Sequence, residues 1–445
     1  MCLTAADIET ALASPGVIPD WLQTHSSWLM ASLCNLQASF LTAADEARKN
    51  NDEDLEDAYL VTMKVAIKAT FYSSSAAAYS REIAERIRNR VHRVGNDPLG
   101  AIPALVEELI GAGSNYKPTD LSPEMVEENR NLAATRAARE GQLRKAKRIV
   151  ASDAVRADIS KDDTVLNMCN KLHAEVAPPG SWLTNTHDNG DNGDNGDNGG
   201  DNDDNDDGSS SDQMFKPVTQ KDIRYQLKGS KGVAAGLDGI PPILYRGLLE
   251  DPNCRSGICD LATRLARGQL PRRFAAIMAS GSGFGLQKPG ETKIRPICIA
   301  PALRRITASV LAGRCGSSAA TLMSPIQFSI NTRDGCNIVI SAARAFMALR
   351  GADCLSLQID ISNAFSSVSW DAVRDAIAQA GGVIGMTAGF FRQMYFDQPP
   401  AVVLPPMKGH APKILKLSQA RLQRGASSKD VASLPSSSPW RNTAP

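Results

Sequence analysis

A run of Asp, Asn and Gly between His187 and Asp212, built on an Asp-Asn-Gly repeat, constrains this chain more than any other feature. It contains no apolar side chain, so nothing it could bury offsets the entropy of ordering it. Its Asp spacing matches a calcium loop only in part, because the Glu that closes such a loop is missing. The expectation is a disordered linker over residues 181–213, separating a helical front from the rest of the chain. With 445 residues, the chain has room for two or three domains with cores of their own.

The same run masks the charge of the rest. The formal net charge is +1, from 49 Lys and Arg against 48 Asp and Glu. Ten of the Asp lie in 188–212, which leaves 49 basic against 38 acidic residues elsewhere, a net of +11. Between residues 213 and 350 there are 20 Lys or Arg against 7 Asp or Glu. A field of that sign suits a polyanion such as nucleic acid, although a solvated basic surface has the same composition.

Other classes are excluded by what the sequence lacks. Nine Cys occur without one Cys-x-x-Cys pair, and the five His do not cluster with them, so no zinc framework is legible. The N-terminus has no basic region followed by an apolar run, and no apolar run approaches the roughly 20 residues that span a bilayer. The expected location is intracellular, nuclear or cytoplasmic, without secretion and without a membrane partner.

Residues 1–113 read as a helical region, with Ala-rich and Arg/Glu-rich segments at 65–78 and 80–94 and a break at Gly95-Asn96-Asp97-Pro98. Residues 114–180 read as a basic helical extension, with Arg144, Lys145, Lys147 and Arg148 close together. From 214 to 404 the texture changes. Gly285-Leu286-Gln287-Lys288, a Pro289-Gly290 turn and the run 293–300 predict a β-hairpin. Pro301 suits a first helical position, and Leu303, Ile306, Val310 and Leu311 would share one side of a helix over 301–313. Residues 405–445 end in a Ser, Pro and Ala composition that packs poorly, as a disordered or frame-shifted tail would.

Over 355–361 the residues alternate, with Leu357, Ile359 and Ile361 on one side and Ser356, Gln358 and Asp360 on the other, which predicts a half-buried strand. Ser369 then reads as the N-cap of a helix to about Gln379, with Asp371 in its first turn. Asp360, near the strand end, could ligate a divalent ion or cap a turn.

Read together, these segments resemble the reverse transcriptases of non-LTR (LINE-type) retrotransposons. Gln358-Ile359-Asp360-Ile361-Ser362-Asn363-Ala364-Phe365 is similar to their motif A. Leu286-Gln287-Lys288-Pro289-Gly290 and Lys293-Ile294-Arg295-Pro296-Ile297 resemble their fingers motif. Ala235-Gly236-Leu237-Asp238-Gly239-Ile240 resembles the Gly-x-Asp-Gly-Ile signature that opens the domain. Gln327-Phe328 through Arg333-Asp334-Gly335-Cys336 occupies the place of a further family segment. The resemblance implies an α+β fold, with a helical N-terminal region followed by the fingers and partial palm of a right-hand polymerase.

It also implies roles. Asp360 would be the catalytic ligand of Mg2+, Phe365 the steric gate against a ribose 2′-hydroxyl, and Lys288 and Arg295 would pair with the triphosphate. Partners would be an RNA template, a DNA primer and dNTP. Phe365 argues against an RNA-dependent RNA polymerase, which needs room there. Gly236 and Gly239 would serve backbone shape.

The family pattern stops after motif A. No Gly-rich, Gln-containing motif B and no Tyr-x-Asp-Asp motif C come after it in this sequence. Tyr395-Phe396-Asp397-Gln398 lacks the second Asp and reads instead as the end of a helical segment. One carboxylate cannot hold two divalent ions, so the expectation is a polymerase by family without polymerase activity in this chain. The alternative is a non-catalytic RNA- or DNA-binding protein that uses the basic fingers surface.

Overall fold

In a computed structural model, the described residues are mostly helical with one small sheet, an α+β arrangement. The structure describes residues 3–73, 79–114, 215–228, 230, 233–287, 294–350, 368–397, 401–404 and 413–416, with isolated positions at 131, 134, 135, 155, 156, 168, 357, 359 and 361. The expected linker lies outside the described residues, as does the basic run at Arg144, Lys145, Lys147 and Arg148.

The front region is built from capped helices. Helix α1 (Ala5–Ala13) opens on a reciprocal capping box between Thr4 and Asp7. Ser26 caps α2 (Ser27–Lys49), Asp52 caps α3 (Glu53–Phe71) and Ser80 caps α4 (Arg81–Asn96). The expected break falls between α4 and α5 (Pro98–Ser114). Helix α3 is the centre of this part. From Val65 to Phe71 every residue is buried, and Lys64 and Lys68 are buried with them. A helix apolar all round has to be covered on all sides, and α1, α2, α4, α5 and α8 (Arg272–Ala279) all pack on it.

The second part contributes α6 (Gln220–Gln226), α7 (Pro252–Arg267), α8, α9 (Ala302–Met323), α10 (Gly335–Arg350) and α11 (Trp370–Ala380). Its apolar core is continuous with that of the front. Leu29, Leu33, Leu60, Ile67 and Phe71 from the front share one apolar cluster with Leu244, Ile258, Leu261, Phe274 and Ile306. The fit is close. A Cβ added at Gly257 would sit 2.7 Å from a Leu41 methyl, and one at Gly247 would sit 2.7 Å from the Met30 methyl. Cys254 donates its thiol hydrogen to the Cys34 carbonyl at 3.1 Å. The Asp-Asn-Gly run therefore separates the two parts in sequence and not in space.

The sheet centres on β2 (Gly281–Gln287). It pairs antiparallel with β3 (Ile294–Ile299), in register from Ser282↔Ile299 to Gln287↔Ile294, as the hairpin reading predicts. On its other edge β2 meets β1 (Val155–Arg156) antiparallel and β4 (Ala401–Leu404) parallel. Strand β5 (Lys413–Lys416) pairs antiparallel with β4, so part of the expected tail is ordered into the sheet. Helix α9 buries Leu303, Ile306, Val310 and Leu311 as expected, but Pro301 is its N-cap rather than its first residue, and the helix continues to Met323.

The strand expected over 355–361 falls mostly on residues outside the described ones. Leu357, Ile359 and Ile361 belong to no strand and are 84%, 74% and 67% exposed. Alternation gives a strand one apolar face, but a strand also needs a neighbour to satisfy its N–H and C=O groups. Among the described residues none pairs with this segment. Ser369 does precede α11, and its side chain makes no capping bond.

Candidate functional site

The segment Gly236-Leu237-Asp238-Gly239-Ile240 lies at the junction of the two parts. Asp238 is completely buried. One carboxylate oxygen accepts from the Lys64 ammonium at 3.0 Å, and the other faces the Ile240 N–H at 3.4 Å. The buried Tyr245 hydroxyl also acts on the Lys64 charge. One turn along α3, Lys68 donates to the carbonyls of Leu12 at 2.7 Å and Leu237 at 3.1 Å. The loop is gripped from the front by Lys64, Lys68 and the Ile18 N–H, which donates to the Gly239 carbonyl at 2.9 Å. From the other side, Arg305 of α9 donates to the Ala234 carbonyl at 2.6 Å.

Both glycines are required by shape. Gly239 has φ of +70°, and a Cβ there would stand 2.9 Å from the Gly16 carbonyl oxygen. A Cβ at Gly236 would stand 2.5 Å from the Ala300 carbonyl oxygen and 2.6 Å from the Pro301 nitrogen. Backbone on the far side cannot yield as a flexible side chain does.

The two lysines have opposite electrostatics. Burial alone works to lower the Lys64 pKa, but Tyr245 and Asp238 outweigh it and raise it above the ordinary lysine value. Burial lowers Lys68 to about 7, because its main partners are neutral carbonyls and Asp238 offsets only part of the penalty. Burial also pushes the Tyr245 hydroxyl up. The sign for Lys68 comes from linkage. Between about 7 and the ordinary value of 10.5 the unfolded chain binds the proton and the folded chain does not, so stability rises with pH in that window. Urea midpoints at pH 7 and pH 9 are expected to rise more for the wild type than for Lys68→Met. Equal rises in the two proteins would contradict the assignment.

A second set of contacts fixes the helices around this hub. Asp57 accepts from the N–H groups of Arg273 and Phe274, both at 2.8 Å, and so caps α8 from α3. Burial raises the Asp57 pKa against those two bonds. Glu56 forms an ion pair with Arg264 of α7. The Gln393 amide accepts from Leu270 N–H at 3.2 Å and donates to Leu270 carbonyl at 2.7 Å. Tyr395 and Phe396 close a helical turn (Arg392–Phe396) and pack on Trp370, with Arg304 5.1 Å from the centre of the Tyr395 ring. They are helix-packing residues, in keeping with the sequence reading of that segment.

Of the residues singled out for chemistry, Arg295 alone is described. It is exposed on β3 opposite Leu286. Lys288, Phe365 and the expected Mg2+ ligand, Asp360, lie outside the described residues. Among the described residues no three His, Cys, Asp or Glu side chains converge, and Asp360 is one carboxylate where two ions need several. No chemical step can be derived from such a site. The Asp238 cluster is closed to solvent and can hold a loop but cannot meet a substrate.

Sequence reasoning named Asp238 as part of a signature and missed Lys64 and Lys68. A signal for them existed. They stand four residues apart in the run Val61-Thr62-Met63-Lys64-Val65-Ala66-Ile67-Lys68-Ala69, where the surrounding residues are mostly apolar, so both cations had to be buried and partnered. The partner, 174 residues away, had no local signal. Among the described residues no helix is long and apolar enough to cross a membrane. Compared with family models, with curated proteins and with solved structures, the chain matches none.

Proposed function

We propose that this chain is the fingers and part of the palm of an RNA-directed DNA polymerase, a reverse transcriptase of the non-LTR retrotransposon type. On this reading it engages a primer–template through a basic surface and has no polymerisation chemistry of its own. The observation that carries the reading is the order of four motif-like segments along one chain. The paired hairpin arms, with Arg295 exposed on one of them, are consistent with it. So is the buried loop at Asp238, which gives the Gly-x-Asp-Gly-Ile segment a reason for its two glycines. Mg2+ and dNTP belong to the proposal as family requirements, and Asp360, Lys288 and Phe365 as its site residues.

A second reading has its own support. Residues 213–350 carry 20 Lys or Arg against 7 Asp or Glu, a charge that a plain nucleic-acid binder would use without any palm. Binding measurements separate the two. The polymerase reading expects the chain to prefer a recessed primer–template junction to blunt duplex, and Arg295→Ala to reduce the salt slope on that junction by about one phosphate contact. No dNTP incorporation is expected from the chain in a primer-extension assay with Mg2+. Binding without junction preference would favour the plain binder, and incorporated nucleotide would overturn the loss of chemistry.

A further inference from the structure

Helix α6 presents an exposed stripe that neither the buried cluster nor the hairpin uses. Lys221, Arg224 and Tyr225 on the helix, with Lys228 in the turn after it, keep i, i+3, i+4 and i+7 spacing and so share one face. All four are exposed, Tyr225 at 63%. The Lys228 ammonium stands 4.6 Å from the centre of the Tyr225 ring.

The opposite side of α6 is fixed. Ile223 and Leu227 are completely buried, and the helix opens on a Thr219–Asp222 capping box. Gln220 donates to the Leu249 carbonyl at 2.8 Å, and Arg246 donates to the Leu227 carbonyl at 2.7 Å. The acidic groups nearest the stripe are already engaged. Glu250 pairs with Arg224 at 2.8 Å, and Asp222, on the flank, pairs with Arg314 at 3.0 Å. Lys228 covers one face of the Tyr225 ring, Tyr225 is still 63% exposed, and Lys221 stands one turn back on the same stripe.

We infer that this stripe is a binding surface for single-stranded nucleic acid, with Tyr225 stacking a base and Lys221 and Lys228 meeting the flanking phosphates. Charge complementarity selects a polyanion, and the exposed ring selects one with flat bases over a simple anionic polymer. The inference rests on the proposed function, because it names where an unpaired template or displaced strand would run.

The test is fluorescence anisotropy of the full chain with labelled single-stranded RNA and DNA of roughly 16 nucleotides, over about 50–200 mM salt. Tyr225→Ala is expected to weaken binding about tenfold with the salt slope unchanged. Tyr225→Trp is expected to restore it. Lys221→Gln with Lys228→Gln should reduce the salt slope by about 1.4, the share of two phosphates on a single strand. All these positions are exposed, and circular dichroism checks that each variant keeps its helix content. Wild-type affinity in Tyr225→Ala, with primer–template binding intact, would overturn this inference and leave the polymerase reading standing. Tyr225-dependent binding that no primer–template competes away would keep the stripe and overturn the polymerase reading. Absence of any nucleic-acid binding at the lowest salt would overturn both.

Discussion

Asp238→Ala is expected to lower the unfolding free energy by about 3–5 kcal/mol, the usual cost of removing one member of a buried ion pair. The reason is the charge left behind. Lys64 is 2% exposed, and among the described residues it has no other ion-pair partner. The Ile240 N–H would also lose the oxygen it faces. Against a typical total of about 5–15 kcal/mol, such a loss is visible in a urea titration at room temperature. The pair itself is a weaker source of stability than the single substitution suggests, because both charges had to leave water to form it. Combining Asp238→Ala with Lys64→Met should therefore recover a large part of the loss. A single variant within about 1 kcal/mol of wild type would mean that the Asp238 carboxylate is solvated and the loop is not anchored from the front.

How far this site was legible differs from element to element. The hairpin could be read from composition because its turn, its β-rich arms and its pairing partner are local to some twenty residues. The face of α9 could be read because helical spacing places Leu303, Ile306, Val310 and Leu311 on one side, whatever they meet. The segment at 355–361 shows the limit of that kind of reasoning. Its alternation defines a face but carries no information on a neighbour, and Leu357, Ile359 and Ile361 stay exposed. The partners of Asp57, Lys64 and Lys68 are non-local as well. Asp57 caps a helix that starts more than 200 positions later in the chain, and no window of sequence contains both ends of that contact. A linker that cannot pack suggested two independent units, but loop-closure cost rises only slowly with length. The length of a connection is therefore no obstacle to a shared core.

That shared core gives the prediction with the largest effect. A chain starting at residue 214 is expected to lose cooperative unfolding, even though every motif-like segment remains in it. Deleting the front removes Leu29, Leu33, Leu60, Ile67 and Phe71 from the common cluster, and each buried side chain of this kind contributes roughly 1.5–3 kcal/mol. A handful of such losses equals or exceeds the whole stability of an ordinary domain. It also removes the α8 cap at Asp57, the Arg264 partner at Glu56 and the cation under Asp238. Thermal melts followed by circular dichroism should change from a sharp transition to a shallow slope, with exposed apolar surface detected by dye binding. The complementary experiment cuts the chain without removing anything. Cleavage at a single specific protease site inserted in the run at 187–212 should yield two fragments that still elute together and melt as one, because the contacts that join them lie in the core and not in the connection. A truncated chain that melts sharply, or cut fragments that separate in native buffer, would show that the front helices are an accessory to the basic region rather than half of its core.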